Sequence, residues 1–150
     1  MPTVADRLNI HLADWNLLYT KLHHYHWYVT GPNFLALHTK FEELYDYAAS
    51  SLDEVAERIL AIGGKPISTL KQYLDQTMLT EAGKESTADE MLNAVIRDFQ
   101  TFVSSMKETT KLADESGDAV TTDLLNGHME ELQKQIWMLT ATSKGLPVKV

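Results

Sequence analysis

Cysteine is absent from the 150 residues, which removes disulfides, thiolate zinc sites, iron–sulfur clusters and thiol nucleophiles together. Any metal must be held by nitrogen and oxygen. No segment is apolar for long enough to span a bilayer, and Met1-Pro2-Thr3-Val4-Ala5-Asp6-Arg7 has no charged stretch leading into an apolar run, so the expected location is the cytoplasm. Basic residues are in deficit, 13 against 21 acidic ones, for a formal charge of -8. That balance repels nucleic acid and membrane surfaces and favours cations near the protein. An acidic surface that only aids solubility is the commoner meaning of such a number, so charge alone decides little. Sustained two-residue alternation, internal repeats and low-complexity tracts are also missing, which leaves an all-α chain.

The length suits one domain with a continuous core, spanning residues 1–150. A first helix over roughly 4–29 carries Leu8, Leu12, Trp15, Tyr19, Leu22, His26 and Val29 at steps of three and four, which puts His26 on the inward face. Gly31-Pro32-Asn33 breaks it, and Asn33 is placed to cap the next helix. That second helix, roughly 34–62, turns Phe41, Tyr45, Ala48, Leu52, Val55 and Ile59 inward and stops at Gly63-Gly64 before Pro66. About 25 residues then follow, long for a helical hairpin and read as a crossover with a short helix near Ser68 to Tyr73. Thr87-Ala88-Asp89-Glu90 has the form of a capping box opening a third long helix with Met91, Val95, Phe99, Phe102 and Met106 inward. Asp118, after Gly117, caps a fourth with Leu125, Met129, Leu132, Ile136 and Leu139 on one side, ending before Gly145 and Pro147. Two hairpins joined by one long crossover are the ferritin-like four-helix arrangement; cytokine bundles need two long crossovers.

On the second helix His38 and Glu42 are four apart, as are Asp53 and Glu57, so each pair lies one turn apart on one side. At about 100° per residue all four fall within an arc of roughly 100° beside the core stripe. They cannot share one ion within a chain, because Glu42 and Asp53 stand about 16 Å apart along the axis and His38 and Glu57 nearly 30 Å. Both sets are nevertheless centred on the same point, midway between Tyr47 and Ala48. A two-fold axis there would turn a neighbouring helix antiparallel and bring Asp53 and Glu57 of the partner subunit toward His38 and Glu42, giving two equivalent sites per dimer. His26 and His38 are equidistant from Pro32, so they sit level in an antiparallel hairpin and His26 joins the set. Two imidazoles and three carboxylates suit iron or manganese, with zinc also open on affinity order.

Taken singly these signals are weak. An inward histidine is more often hydrogen-bonded in a core, and carboxylate pairs are common on solvated faces. The weight comes from five positions obeying one symmetry that a solvent-facing pattern has no reason to respect. His23 and His24 point elsewhere and read as surface or interface groups; His11 and His128 have no partner at ligand spacing. Trp27, beside His26, is a candidate accessory residue able to pack over the metal or take up an oxidising equivalent, with plain packing the simpler role. Trp15 and Trp137 read as core.

His26-Trp27-Tyr28, the run Leu37-His38-Thr39-Lys40-Phe41-Glu42, and Asp53-Glu54-Val55-Ala56-Glu57-Arg58 followed by Ile62-Gly63-Gly64-Lys65-Pro66 resemble the signature of the DNA-binding proteins from starved cells, the Dps family or mini-ferritins. The similarity extends to Ile136-Trp137-Met138 and so covers nearly the whole chain. The resemblance implies a hollow dodecamer of two-fold dimers with iron-oxidising centres at the dimer interfaces, built from His26, His38 and Glu42 with Asp53 and Glu57 of the neighbour. It implies ferroxidase activity on iron(II), with hydrogen peroxide preferred over oxygen, and storage of ferric mineral that protects the cell from oxidative damage. It also implies acidic three-fold pores for incoming iron, for which Asp114, Asp118 and Asp123 are similar in placement, with Ala119 where relatives can carry another acid. Capping is the preferred role for Asp118. Family members that condense DNA usually carry a lysine-rich tail; here only Arg7 lies near the amino end and Lys144 and Lys149 near the other, so DNA binding is expected to be slight.

Three other readings compete. A ferritin or bacterioferritin site lies inside one bundle and uses Glu-x-x-His, which occurs nowhere in this sequence. A DNA-coating structural protein would leave the carboxylates solvated, and the missing basic tail weighs against it. Non-redox sequestration of a divalent metal needs the same ligands and no redox work.

Overall fold

The computed structural model describes residues 1–143, so the stop at Gly145 and Pro147 and the charges of Lys144 and Lys149 lie outside the described residues. Four long helices, α1 (Val4–Tyr28), α2 (Phe34–Ala61), α4 (Ala88–Glu115) and α5 (Ala119–Thr142), form the all-α, ferritin-like bundle, and the short α3 (Leu70–Gln76) lies in the crossover. α1 pairs with α2, and α4 with α5.

Side-chain caps start most of these helices. Thr3 with Asp6, Thr69 with Gln72 and Thr87 with Glu90 each form a reciprocal capping box, satisfying amides that would otherwise be left without partners. Asp118 Oδ1 accepts from the Thr121 amide at 3.0 Å, the cap expected for α5. Asn33 departs from expectation. It stands at the cap position of α2, but its side chain makes no capping bond, because its backbone sits at φ -102, ψ 20, away from the extended conformation a side-chain cap requires. The turn is closed instead by Gly31, at φ 111, whose carbonyl accepts from the Phe34 amide at 3.0 Å.

The core stripes of α4 and α5 follow the spacing: Met91, Val95, Phe99, Phe102 and Met106, and Leu125, Met129, Leu132, Ile136 and Leu139, are all buried. On α1 the stripe runs through Leu8, Leu12, Trp15, Leu18, Leu22, Tyr25 and Val29. Tyr19, read as inward, is 36% exposed. Steps of three and four are both permitted at 3.6 residues per turn, and packing takes Leu18 rather than Tyr19. Tyr45 and Leu52 on α2 are only partly buried. Trp137, read as core, is 60% exposed, since it lies about 100° around the helix from Ile136.

The crossover is tied to α1 along its length. Asn9 Nδ2 donates to Lys65 O (3.0 Å) and its Oδ1 accepts from the Ile67 amide (2.9 Å). Asp14 Oδ1 accepts from Thr77 Oγ1 (2.6 Å) and the Met78 amide (2.8 Å). Lys21 Nζ donates to Thr80 O at 2.8 Å, and Tyr25 Oη to Glu85 at 2.8 Å. Asp14, Lys21 and Tyr25 share one face of α1 at helical spacing, and Asn9 adds a latch near its start, so the crossover follows one path.

Candidate metal centre

The α1–α2 turn brings His26 and His38 face to face, as their equal distance from Pro32 requires of an antiparallel hairpin. Their rings stack with centroids 3.7 Å apart and planes 11° from parallel. Each ring is clasped by the other residue's backbone: His26 Nδ1 donates to His38 O at 2.6 Å, and His38 Nδ1 donates to His26 O at 2.7 Å. A carbonyl oxygen only accepts, so both Nδ1 atoms carry the proton. With Nδ1 so engaged, Nε2 is the atom each ring has left for a ligand, the arrangement by which backbone carbonyls orient metal-binding histidines.

Glu42, one turn beyond His38, brings Oε1 to 3.9 Å from His26 Nε2. One chain thus places two stacked imidazoles, and a carboxylate within 3.9 Å of one of them, beside the α1–α2 turn. His26 is 7% exposed and the Glu42 side chain 53%, so the histidines are held in the fold while the carboxylate reaches outward. Asp53 and Glu57 sit exposed, further along α2, with no side-chain partner among the described residues. Within one chain the described residues include no group of three or more His, Asp or Glu able to hold an ion. One chain supplies the imidazoles of His26 on α1 and His38 on α2 with the Glu42 carboxylate at one stretch, and the two carboxylates of Asp53 and Glu57 at another.

Two neighbours of the histidines were not singled out from spacing. Phe34 stacks on His38, with centroids 5.0 Å apart and planes 22° from parallel. Tyr45 meets the His26 ring edge-on at 5.3 Å and 88°, and on its other side stacks with His23 at 3.7 Å and 15°. The four-residue step from Phe34 to His38 was legible as a one-turn contact; the meeting of Tyr45 with His26, on another helix, was not. Trp27 is 67% exposed, and its ring lies against His23 at 5.4 Å.

The aspartates at the α4–α5 turn do different things. Asp118 is engaged twice, as the cap of α5 and in an ion pair with Arg58 at 3.0 Å. Its carboxyl is held below the usual range; burial opposes this, but hydrogen bonds from Thr121 and Arg58 and the Arg58 charge prevail. Asp114 accepts from Thr122 Oγ1 at 2.9 Å, and Asp123 is exposed.

His11 and His128 are buried in the bundle, each with a partner from another helix: Thr109 Oγ1 at 2.8 Å for His11 and Glu54 Oε1 at 3.4 Å for His128. Burial drives the His11 pKa down to about 3 and lowers that of His128, which keeps uncharged rings in the core.

The Ferritin-like domain family matches residues 5–147. The DNA protection during starvation protein 2 of Bacillus anthracis is 49% identical over 138 residues, 92% of this chain and 94% of that relative. The chain belongs to the Dps family, the mini-ferritins. Among Dps structures, that from Staphylococcus aureus superposes with a TM-score of 0.92 at 40% identity, covering 95% of this chain and 96% of its own. A Dps protein from Bacillus brevis superposes at 0.91 with 45% identity, covering 93% of each chain. The single long crossover of this Dps chain is therefore the family's own architecture, and the absence of Glu-x-x-His separates it from bundles that hold iron within one subunit.

Proposed function

We propose that this Dps protein is a ferroxidase: it binds iron(II) at a centre completed across a two-fold contact, oxidises it, and stores the ferric product inside a hollow oligomer, most simply a dodecamer, in the cytoplasm. The whole chain acts as one ferritin-like domain. The reading rests above all on the reciprocal clasp of His26 and His38, which leaves Nε2 of each ring free for a ligand, that of His26 at 3.9 Å from Glu42. Asp53 and Glu57 of the partner subunit would supply the remaining oxygens.

The chain's own residues would act in sequence. The acidic surface raises the local concentration of iron(II), with Asp114 and Asp123 as candidates along the path inward. The two imidazoles would bind and orient it through Nε2, the ring atom their Nδ1 hydrogen bonds leave free. The carboxylates favour the ferric product, since hard oxygen donors stabilise the higher charge. With hydrogen peroxide as oxidant, two iron(II) ions each give one electron, the O–O bond breaks, and two protons complete two waters. Delivering both electrons together avoids releasing a hydroxyl radical. Oxygen would serve as the slower oxidant.

The test adds iron(II) and then peroxide, anaerobically, to metal-free assembled protein, following ferric absorbance and the iron retained per oligomer. Acceleration over buffer is expected, and a rate equal to buffer refutes the ferroxidase reading in favour of plain sequestration. His26→Ala and His38→Ala are expected to slow oxidation at least tenfold with the oligomer's mass unchanged. With a formal charge of -8, the protein is proposed to bind DNA slightly at physiological salt; a strong, salt-sensitive gel shift would overturn that.

A further inference from the structure

We infer that Phe34 and Tyr45 are positioning residues of the iron site, forming an aromatic clamp that fixes the planes of the two ligand histidines. The inference rests on the reading of His26 and His38 as ligands given above. A column of rings runs through the site: Phe34 lies on the outer face of His38 (5.0 Å, 22°), His38 lies on His26 (3.7 Å, 11°), and the edge of Tyr45 closes against His26 (5.3 Å, 88°). Tyr45 is itself held, stacked on His23 at 3.7 Å and 15°, and the His23 ring is anchored by its Nδ1 donating to Tyr19 O at 2.7 Å.

The clamp does what the carbonyl clasp cannot. A hydrogen bond at Nδ1 pins one edge of an imidazole and sets its tautomer, while the ring can still tilt about that edge. Flat or edge-on aromatic neighbours remove that tilt, and with it the ordering that metal binding would otherwise have to impose. His38 has the greater need: it is half-buried, whereas His26 lies 7% exposed, and Phe34 supplies the flat wall that its solvent side lacks. Phe34 opens α2 with its amide on Gly31 O, so the wall is fixed by the same turn that sets the two histidines level.

Cobalt(II) is the probe, since its visible spectrum reports ligand geometry without turnover. Assembled wild-type protein is titrated beside Phe34→Leu and Tyr45→Leu, which keep apolar bulk and lose the ring, and beside Phe34→Tyr and Tyr45→Phe, which keep it. His38→Ala is the reference for ligand loss. Each Leu variant is expected to weaken cobalt binding roughly two- to tenfold and to alter the d–d band, while both ring-keeping variants restore affinity and band. In iron oxidation the same Leu variants raise half-saturating iron more than they lower the rate at saturation. Leu variants with wild-type affinity and spectrum overturn the clamp while His38→Ala, losing both, leaves the iron site standing. Equal losses in Leu and ring-keeping variants also overturn it, since bulk rather than the ring would then matter. Should His38→Ala bind cobalt as wild type does, the ligand reading fails and the clamp with it.

Discussion

Replacing Asp14 by Asn isolates the electrostatic cost of holding the crossover against α1. Asp14 is 1% exposed, and its Oδ1 accepts from Thr77 Oγ1 and the Met78 amide, while its Oδ2 is buried without a partner. Lys21, two turns further along α1, is committed to Asp98 at 2.8 Å. Burial therefore dominates, and the carboxyl is pushed up from 3.8 to about 6 despite the hydrogen bonds that favour its charge. Because the folded chain holds this proton more tightly than the unfolded chain, the stability it contributes is complete below about pH 4 and is lost as pH rises through about 6. A shift of roughly two units corresponds to on the order of 3 kcal/mol across that window. Asn offers the same oxygen to Thr77 and Met78 and does not titrate. Wild type and Asp14→Asn are compared by thermal and denaturant unfolding at fixed protein concentration, from about pH 4 to pH 7.5, the concentration being held because assembly contributes to apparent stability. Any constant offset from the amide's second hydrogen drops out of the comparison. The difference between the two proteins should swing in favour of Asn by about 2–3 kcal/mol as pH rises. A difference that stays flat across the window refutes the assignment of the raised pKa to Asp14.

Three further outcomes follow from the same structure. His11, held neutral by burial with a pKa near 3, contributes stability that is present above about pH 6.5 and lost on acidification toward its folded value, so His11→Gln should flatten acid unfolding in that range by a few kcal/mol as measured by urea midpoints. The Lys21–Asp98 pair has side chains 3% and 12% exposed; Lys21→Met should cost about 3–5 kcal/mol by stranding Asp98, and adding Asp98→Leu should recover most of it, a double-mutant cycle that also reads the coupling. At Gly64 a Cβ would meet Ala5 Cβ and Ile59 Cγ2 at 2.9 Å, so Gly64→Ala should destabilise by about 1–3 kcal/mol in thermal melts, through overpacking where α2 ends against the start of α1.

Helix number, the single long crossover and its short helix were legible in the sequence because they follow from local chemistry. Three- and four-residue apolar steps, the Thr87 capping box and the glycines at 31, 63 and 117, each at positive φ, act within a turn or two of themselves. The level pairing of His26 with His38 was legible for a similar reason, since a short turn leaves an antiparallel hairpin little choice of register. Tertiary packing alone decided which of two permitted neighbours faces inward, Leu18 over Tyr19 and Ile136 over Trp137, because local periodicity allows either and only the opposing helix selects. It alone committed Asp118 to Arg58, enclosed His11 and His128 with partners from other helices, and set Tyr45 against His26. Those contacts join residues distant in the chain, and no spacing along one strand of sequence encodes the distance between two helices.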